Sequence, residues 1–150
     1  MKESYKLIRV NKRHCKKVKD LANKVTFLCR VTWKRPVDEM VSDRAKGKKY
    51  QSFGFMDKDK LISYIDYRVD DNVVKIGFCI TDPDYQRQGL MSTLVDYVLS
   101  EHSDKSFVIE TYEGNSSMIS LIEKYNFKLK GKKKDRVDDT NTLRYSLKKN

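Results

Sequence analysis

Ile76-Gly77-Phe78-Cys79-Ile80-Thr81-Asp82-Pro83-Asp84-Tyr85-Gln86-Arg87-Gln88-Gly89-Leu90-Met91 is the stretch that decides how this chain is read. Its first part completes the strand Val73 to Thr81, in which Val74, Ile76, Phe78 and Ile80 alternate and are expected on one face. Asp82-Pro83-Asp84 stops that strand. Tyr85 to Gly89 is a short polar loop. Met91, Leu94, Val95, Val98 and Leu99 then recur at i, i+3, i+4, i+7 and i+8, which predicts an amphipathic helix. The first turn of a helix carries N–H groups without internal partners and a partial positive charge. Such a turn suits a phosphate. A glycine beside it lets an anion approach without meeting a Cβ, and Arg87 adds a fixed positive charge. The segment therefore reads as a pyrophosphate cradle, although both the Walker A and the GxGxxG glycine patterns are absent.

Before this stretch, Tyr5 to Val10 reads as a first strand. Asn11 is a cap-type residue ahead of a helix whose apolar positions are Cys15, Val18, Leu21, Ala22 and Val25. Thr26 to Pro36 is a mixed apolar and basic connector. Val37 to Lys46 reads as a second short helix. Ser52 to Met56, Leu61 to Val69 and Val73 to Thr81 follow as an antiparallel meander, turned at Asp57-Lys58-Asp59 and Asp70-Asp71-Asn72. After the helix that follows the cradle, Ser106 to Tyr112 is a strand. Asn115 opens another helix, and Phe127 to Lys133 with Thr142 to Leu147 form a last hairpin. The order is β-α-α-β-β-β-α-β-α-β-β. This is an α/β chain with a central mixed, mostly antiparallel sheet of about seven strands and four helices. With 150 residues and no internal repeat or linker, residues 1–150 read as one domain.

Composition narrows the function classes. No run of about 18 apolar residues exists to span a membrane. The first residues lack the apolar run of a signal peptide, so a cytoplasmic location is expected. Cys15, Cys29 and Cys79 are odd in number and widely spaced, without zinc-like spacing to His14 or His102; they read as reduced thiols, with no metal. The net charge of +11 attracts anions, whether nucleic acid, anionic lipid or a phosphate-rich cofactor. Lys128 to Arg136 holds no aromatic for base stacking, and no RNA-recognition or helix-turn-helix signature is present, which argues against a nucleic-acid-binding module.

Gln86-Arg87-Gln88-Gly89-Leu90-Met91 resembles the acyl-CoA signature of the GNAT superfamily, Gln/Arg-x-x-Gly-x-Gly/Ala, with Met91 in place of the small last residue. Pro83 and Tyr85 ahead of it, Asn115 at the next helix, and Asn126-Phe127 where the family has Gly-Phe extend the likeness over essentially the whole chain. The resemblance implies an acetyl-CoA-dependent N-acetyltransferase, an acyltransferase passing acetyl to an amine of a small molecule or protein by direct attack. Acetyl-CoA as co-substrate would lie in a splay between the fourth and fifth strands. Main-chain groups near Phe78, Cys79 and Ile80 would pair with its pantetheine arm. Gln86, Arg87, Gln88, Gly89, Leu90, Met91 and Ser92 would hold the pyrophosphate, and Asn115 would contact the pantetheine side or simply cap its helix. No membrane partner is implied, and the chain is expected as monomer or homodimer.

The resemblance is less help with the acid and base. Many relatives carry a carboxylate where this chain has Lys75, and a tyrosine where it has Ile122. Glu110 and Tyr112, on one face of the fifth strand, are then candidates for base and acid, and Tyr125 is a further candidate acid. Asp66 is another base candidate, read as solvent-facing. A water relay without a side-chain base also satisfies the chemistry. The two departures keep open a non-catalytic acetyl-CoA-binding protein of the same fold. Acceptors in the family contact the segments matching Thr26–Pro36 and Lys133–Thr142; the basic connector suggests an acceptor with acidic neighbours.

Overall fold

The computed structural model describes residues 1–25, 35–134 and 140–148. The connector from Thr26 to Lys34, the tip of the last hairpin and Cys29 lie outside them. Strand β1 is Lys6–Arg9, followed by α1 (Cys15–Asn23) and α2 (Val37–Ala45). The meander is β2 (Gln51–Asp57), β3 (Lys60–Asp70) and β4 (Val73–Thr81). Then come α3 (Leu90–Glu101), β5 (Ser106–Tyr112), α4 (Ser116–Lys124), β6 (Lys128–Lys134) and β7 (Asn141–Leu147). Element order and type agree with the sequence reading. Asn11 caps a 3-10 turn, Lys12–His14, that leads into α1, rather than α1 itself.

The seven strands form one sheet in the order β1-β2-β3-β4-β5-β7-β6, and only β4 and β5 are parallel among the pairs. A parallel pair needs a crossover, and α3 supplies it. Two apolar cores sit on opposite faces. Val18, Leu21 and Ala22 of α1 and Val37, Val41 and Ala45 of α2 pack on Val10, Leu61, Tyr64 and Ile80. Leu90, Leu94, Val95 and Val98 of α3 and Ile122 of α4 pack on Phe53, Ile65, Val74, Ile76, Phe107 and Ile109. Helix α4 ends at Tyr125, and Asn126 takes a left-handed φ of 67°, so the residue standing for glycine adopts the glycine-like backbone.

The expectation that Val74, Ile76, Phe78 and Ile80 share a face is wrong, and the reason is a β-bulge. Ile76 pairs with Tyr67 and Cys79 with Ile65, so Gly77 and Phe78 together oppose the single residue Asp66. One extra residue reverses the alternation. Val74 and Ile76 enter the core under α3 and α4, whereas Phe78 and Ile80 face α1 and α2. Cys79 packs toward the α3 side.

Asp66 fills the bulge. It is fully buried, not solvent-facing as its place in the strand suggested. Its Oδ1 accepts the Phe78 N–H at 2.8 Å and Arg44 Nη1 at 3.2 Å; its Oδ2 accepts the Tyr64 hydroxyl at 2.8 Å. Tyr64 Oη lies 3.1 Å from Ser52 Oγ, which extends the network to β2. Burial pushes the Asp66 carboxyl up from its ordinary value, and Arg44 with these hydrogen bonds opposes that rise. Burial, then the Asp66 charge, pushes the Tyr64 hydroxyl well up. A Cβ on Gly77 would stand 2.1 Å from Asp66 Oδ1 and 2.6 Å from Arg44 Nη1, so the carboxylate reaches the bulge only because residue 77 is glycine.

Asp82 fixes the far end of β4. Its N–H donates to Ile62 O at 2.9 Å, and its carboxylate accepts Asp84 N–H at 2.9 Å while pairing with Lys24 and Lys60 at 2.9 and 3.2 Å.

Asp66→Ala leaves Arg44 and the Phe78 amide without their partner and should cost about 3–5 kcal/mol in urea unfolding. Asp66→Asn keeps an acceptor for Phe78 N–H and should cost less; equal losses would show that the bulge contact contributes nothing. Asp82 gives a pH test. Burial alone would raise its carboxyl, but Asp84 N–H, Lys24 and Lys60 hold it below its ordinary value. A depressed folded value means the stabilisation is complete above the unfolded value and fades as pH falls through the folded one. The stability gap between the parent and Asp82→Asn should be constant above about pH 5 and close at lower pH.

Candidate active site

Strands β4 and β5 pair only from Val73↔Ser106 to Ile76↔Ile109. The bulge begins at the next residue. Bulges bend and twist a strand, and beyond this one β4 stays with β3 while β5 stays with β7. A wedge opens between Gly77–Thr81 and Glu110–Tyr112.

The direction of the main-chain groups follows from the register. Asp82 N–H bonds Ile62 O, so by antiparallel alternation Ile80 and Tyr64 form the next hydrogen-bonded pair. Ile80 O also accepts Ser63 Oγ at 3.2 Å. The N–H and C=O groups of Cys79 and Thr81 are therefore turned to the wedge. Of the trio expected to meet a pantetheine arm, Cys79 alone presents its amide there: the Phe78 N–H is held by Asp66, and Ile80 bonds β3.

Two cavities meet in the wedge. One, of about 650 Å³, is lined by Tyr85, Gln86, Arg87, Gly89, Leu90, Met91 and Ser92 on one side and Ser116, Ser117 and Lys124 on the other. The second, of about 500 Å³, is lined by Arg44, Tyr50, Gly77, Phe78, Glu110 and Arg144 among others. Cys79, Tyr112, Asn115 and Met118 border both and form the seam.

The first cavity contains the start of α3. Gly89 is the N-cap residue, at φ 78°, and no side chain caps this end. Thr93 N–H makes the first helical bond, to Gly89 O at 3.0 Å. The amides of Leu90, Met91 and Ser92 are left without an acceptor among the described residues, the condition for an anion site. A Cβ on Gly89 would meet no protein atom within 4 Å. Backbone conformation, not packing, favours glycine here; Arg87, at φ 64°, takes the same left-handed region two residues earlier. Met91 packs against the core, so the larger residue is accommodated within the turn. Arg87 and Lys124 bring two cations. Gln88, expected in the cradle, does not line the cavity.

The three candidate acid–base residues separate. Tyr112 stands at the seam. Glu110 lines the second cavity, half-exposed, with Arg144 Nη1 donating to its Oε1 at 3.0 Å. Tyr125 lines neither cavity; its hydroxyl donates to Ser92 O at 3.0 Å, and burial followed by Asp96 pushes it up to about 12. The structure thus does not bring Tyr125 to the site. Asn115 caps α4, accepting Met118 N–H at 3.3 Å, and still borders both cavities. Ile122 is a core side chain, and Lys75 pairs with Asp70 at 3.3 Å. Burial pushes the Cys79 thiol far up, which suits an inert wall rather than a nucleophile. Among the described residues no cluster could hold a metal ion, and no helix is long and apolar enough to cross a membrane.

Arg44, Thr81, Lys124 and Arg144 were missed from sequence. Nothing local in the sequence singles out Arg44 or Arg144, and their place here depends on long-range pairing. Asp66 had a signal: one carboxylate inside an apolar run must be either exposed or partnered.

The fold recurs in solved structures. The ribosomal-protein-S18-alanine N-acetyltransferase from Escherichia coli is 16% identical, with a TM-score of 0.81 over 97% of this chain and 94% of that one. Arabidopsis thaliana NAA60 in complex with acetyl-CoA is 12% identical, with a TM-score of 0.77 over 96% and 98%. The smu.2055 protein from Streptococcus mutans UA159 is 19% identical, with a TM-score of 0.82 over 97% and 99%. No curated protein matches the chain in sequence. The model of the acetyltransferase (GNAT) family matches residues 17–127. With that match over most of its length, and with the wedge and uncapped helix described above, the chain belongs to the GNAT acetyltransferase family.

Proposed function

We propose that this protein is an acetyl-CoA-dependent N-acetyltransferase. The observation that carries the reading is the wedge between β4 and β5, with the Cys79 and Thr81 main-chain groups turned into it and the bare amides of α3 at one end. A pantetheine arm can bond the exposed edge of β4 as a neighbouring strand would. The diphosphate of coenzyme A meets the Leu90, Met91 and Ser92 amides, with Arg87 and Lys124 as counter-charges. The thioester then lies at the seam, beside Cys79 and Tyr112. The amine enters through the second cavity. The resolved relative with acetyl-CoA bound supports the same cofactor, and the ribosomal-protein acetyltransferases among the similar folds favour a protein amine as acceptor.

Direct attack needs a neutral amine, a donor for the oxyanion and a proton for the departing thiolate. Glu110, reached by solvent and bordering the amine's route, takes the amine proton directly or through water. The Cys79 N–H, turned to the wedge, serves as oxyanion donor. Tyr112, at the seam, gives its proton to the thiolate sulfur. No covalent enzyme intermediate is formed. The buried Ile122, in the place where relatives carry a tyrosine, favours a second reading in which the protein binds acetyl-CoA without turning it over. Thioester turnover with a panel of amines separates the two.

Acetyl-CoA at 100 times its dissociation constant should add about 2.7 kcal/mol and raise the melting temperature by several degrees. Gly89→Asp sets a carboxylate where the diphosphate binds and should abolish that rise; a variant stabilised as well as the parent would refute the cradle. Tyr112→Phe should lower kcat about 10²-fold or more with little change in the KM for acetyl-CoA. Tyr125→Phe should leave kcat within a few-fold of the parent, since its hydroxyl is tied to Ser92 O. The reverse pattern would move the acid to Tyr125.

A further inference from the structure

The second cavity carries more cations than an ordinary amine site calls for. Arg44, Arg68, Lys75 and Arg144 line it, and Glu110 is the only carboxylate among its described lining residues. A neutral or polycationic amine would gain nothing from such a wall. Their partners offset most of this charge: Glu110 pairs with Arg144 within the cavity, and Arg44, Arg68 and Lys75 have two carboxylates between them, which leaves one positive charge in excess. Asp66 pairs with Arg44 and is fully buried, and of the pair only Arg44 lines the cavity. Arg68 and Lys75 share one carboxylate, Asp70, at 3.0 and 3.3 Å, and Asp70 does not line the cavity. Arg44 is also held in place, its guanidinium 4.3 Å from the Tyr50 ring centre and 4.5 Å from that of Phe78.

The cations are spaced along the second cavity, from the wedge to the paired part of β4. Cys79 and Tyr112 mark the acetyl end. Arg44 lies beside Gly77, and Arg68 and Lys75 face each other across β3 and β4 at the closed end. Lys75 precedes Cys79 by four residues, which is about 13 Å of extended strand, shortened somewhat by the bulge. A small amino acid whose amine sits at the seam cannot reach that end with its carboxylate. An extended peptide advances by about 3.3 Å per residue, so its second to fourth side chains can.

We infer that the acceptor is the free α-amine of an extended peptide with acidic side chains among its second to fourth residues, held by Arg44, Arg68 and Lys75. This rests on the N-acetyltransferase reading above and specifies its acceptor.

The test uses the full chain with acetyl-CoA and three peptide series of equal length: Asp and Glu at positions two to four, Asn and Gln there, or Lys there. Small carboxylate amines and polyamines form two further arms. Release of coenzyme A gives kcat/KM, and fluorescence anisotropy of labelled peptides on the coenzyme A-loaded protein gives affinity without turnover. The acidic series should exceed the amide series by about tenfold or more, with the advantage falling as salt rises. The double variant Arg68→Glu, Lys75→Glu should reverse that order while keeping its thermal response to acetyl-CoA. Equal affinity and turnover of acidic and amide peptides would overturn the inference, as would small carboxylate amines or polyamines outperforming them. Acidic peptides that bind selectively but are never acetylated would sink the enzymatic reading and leave this binding surface standing.

Discussion

The N–H of Phe78 points at a carboxylate, and much of the site follows from that contact. A strand that bulges leaves an amide without a ladder partner, and a buried unpaired amide is costly. Asp66 supplies the partner from the neighbouring strand. Its own burial is offset by Arg44 and Tyr64. The bulge is thereby stabilised, β4 is turned away from β5, and the wedge opens at Gly77 rather than elsewhere along the pair. The same arrangement links the cavity wall to α2, because Arg44 belongs to that helix and lies between Tyr50 and Phe78.

The two halves of the cleft meet different electrostatic demands. The start of α3 offers partial charges fixed in the backbone, which suit an anion. The second cavity carries full side-chain charges, which are screened more readily by salt. Asp82 anchors the turn that leads to α3: it ends β4 through Ile62, shapes the turn through Asp84, and ties that turn to the end of α1 through Lys24.

The order of elements was legible because each carries its own period. Met91, Leu94, Val95 and Val98 declare α3, and the limits of β4 and β5 follow from Asp82-Pro83 and from the short apolar runs. The uncapped start of α3 was legible because strand, loop, glycine and helix are contiguous in the chain. The bulge was not. Val74, Ile76, Phe78 and Ile80 alternate perfectly, and nothing in that pattern says that Gly77 and Phe78 share one partner. Reading it requires seeing Asp66 as an internal ligand for the backbone, which is a fact of cross-strand register. Arg44 and Arg144 belong to the same class: their charges enter the cleft through contacts between elements far apart in sequence.

This register effect also bears on the acid and base. Sequence alone made Tyr125 attractive, because it lies one helical turn from Ile122. Helix α4, however, turns that hydroxyl toward the first turn of α3, where Ser92 O accepts it, and places Ile122 in the core. Tyr112 reaches the seam from a strand instead. It shares a face of β5 with Glu110 because they are two residues apart, and the divergence of β4 frees the edge of β5 beside them. Residue 112 borders both cavities only because the wedge begins before it. The Asp66-held bulge, directly after the last paired residue Ile76, sets that starting point.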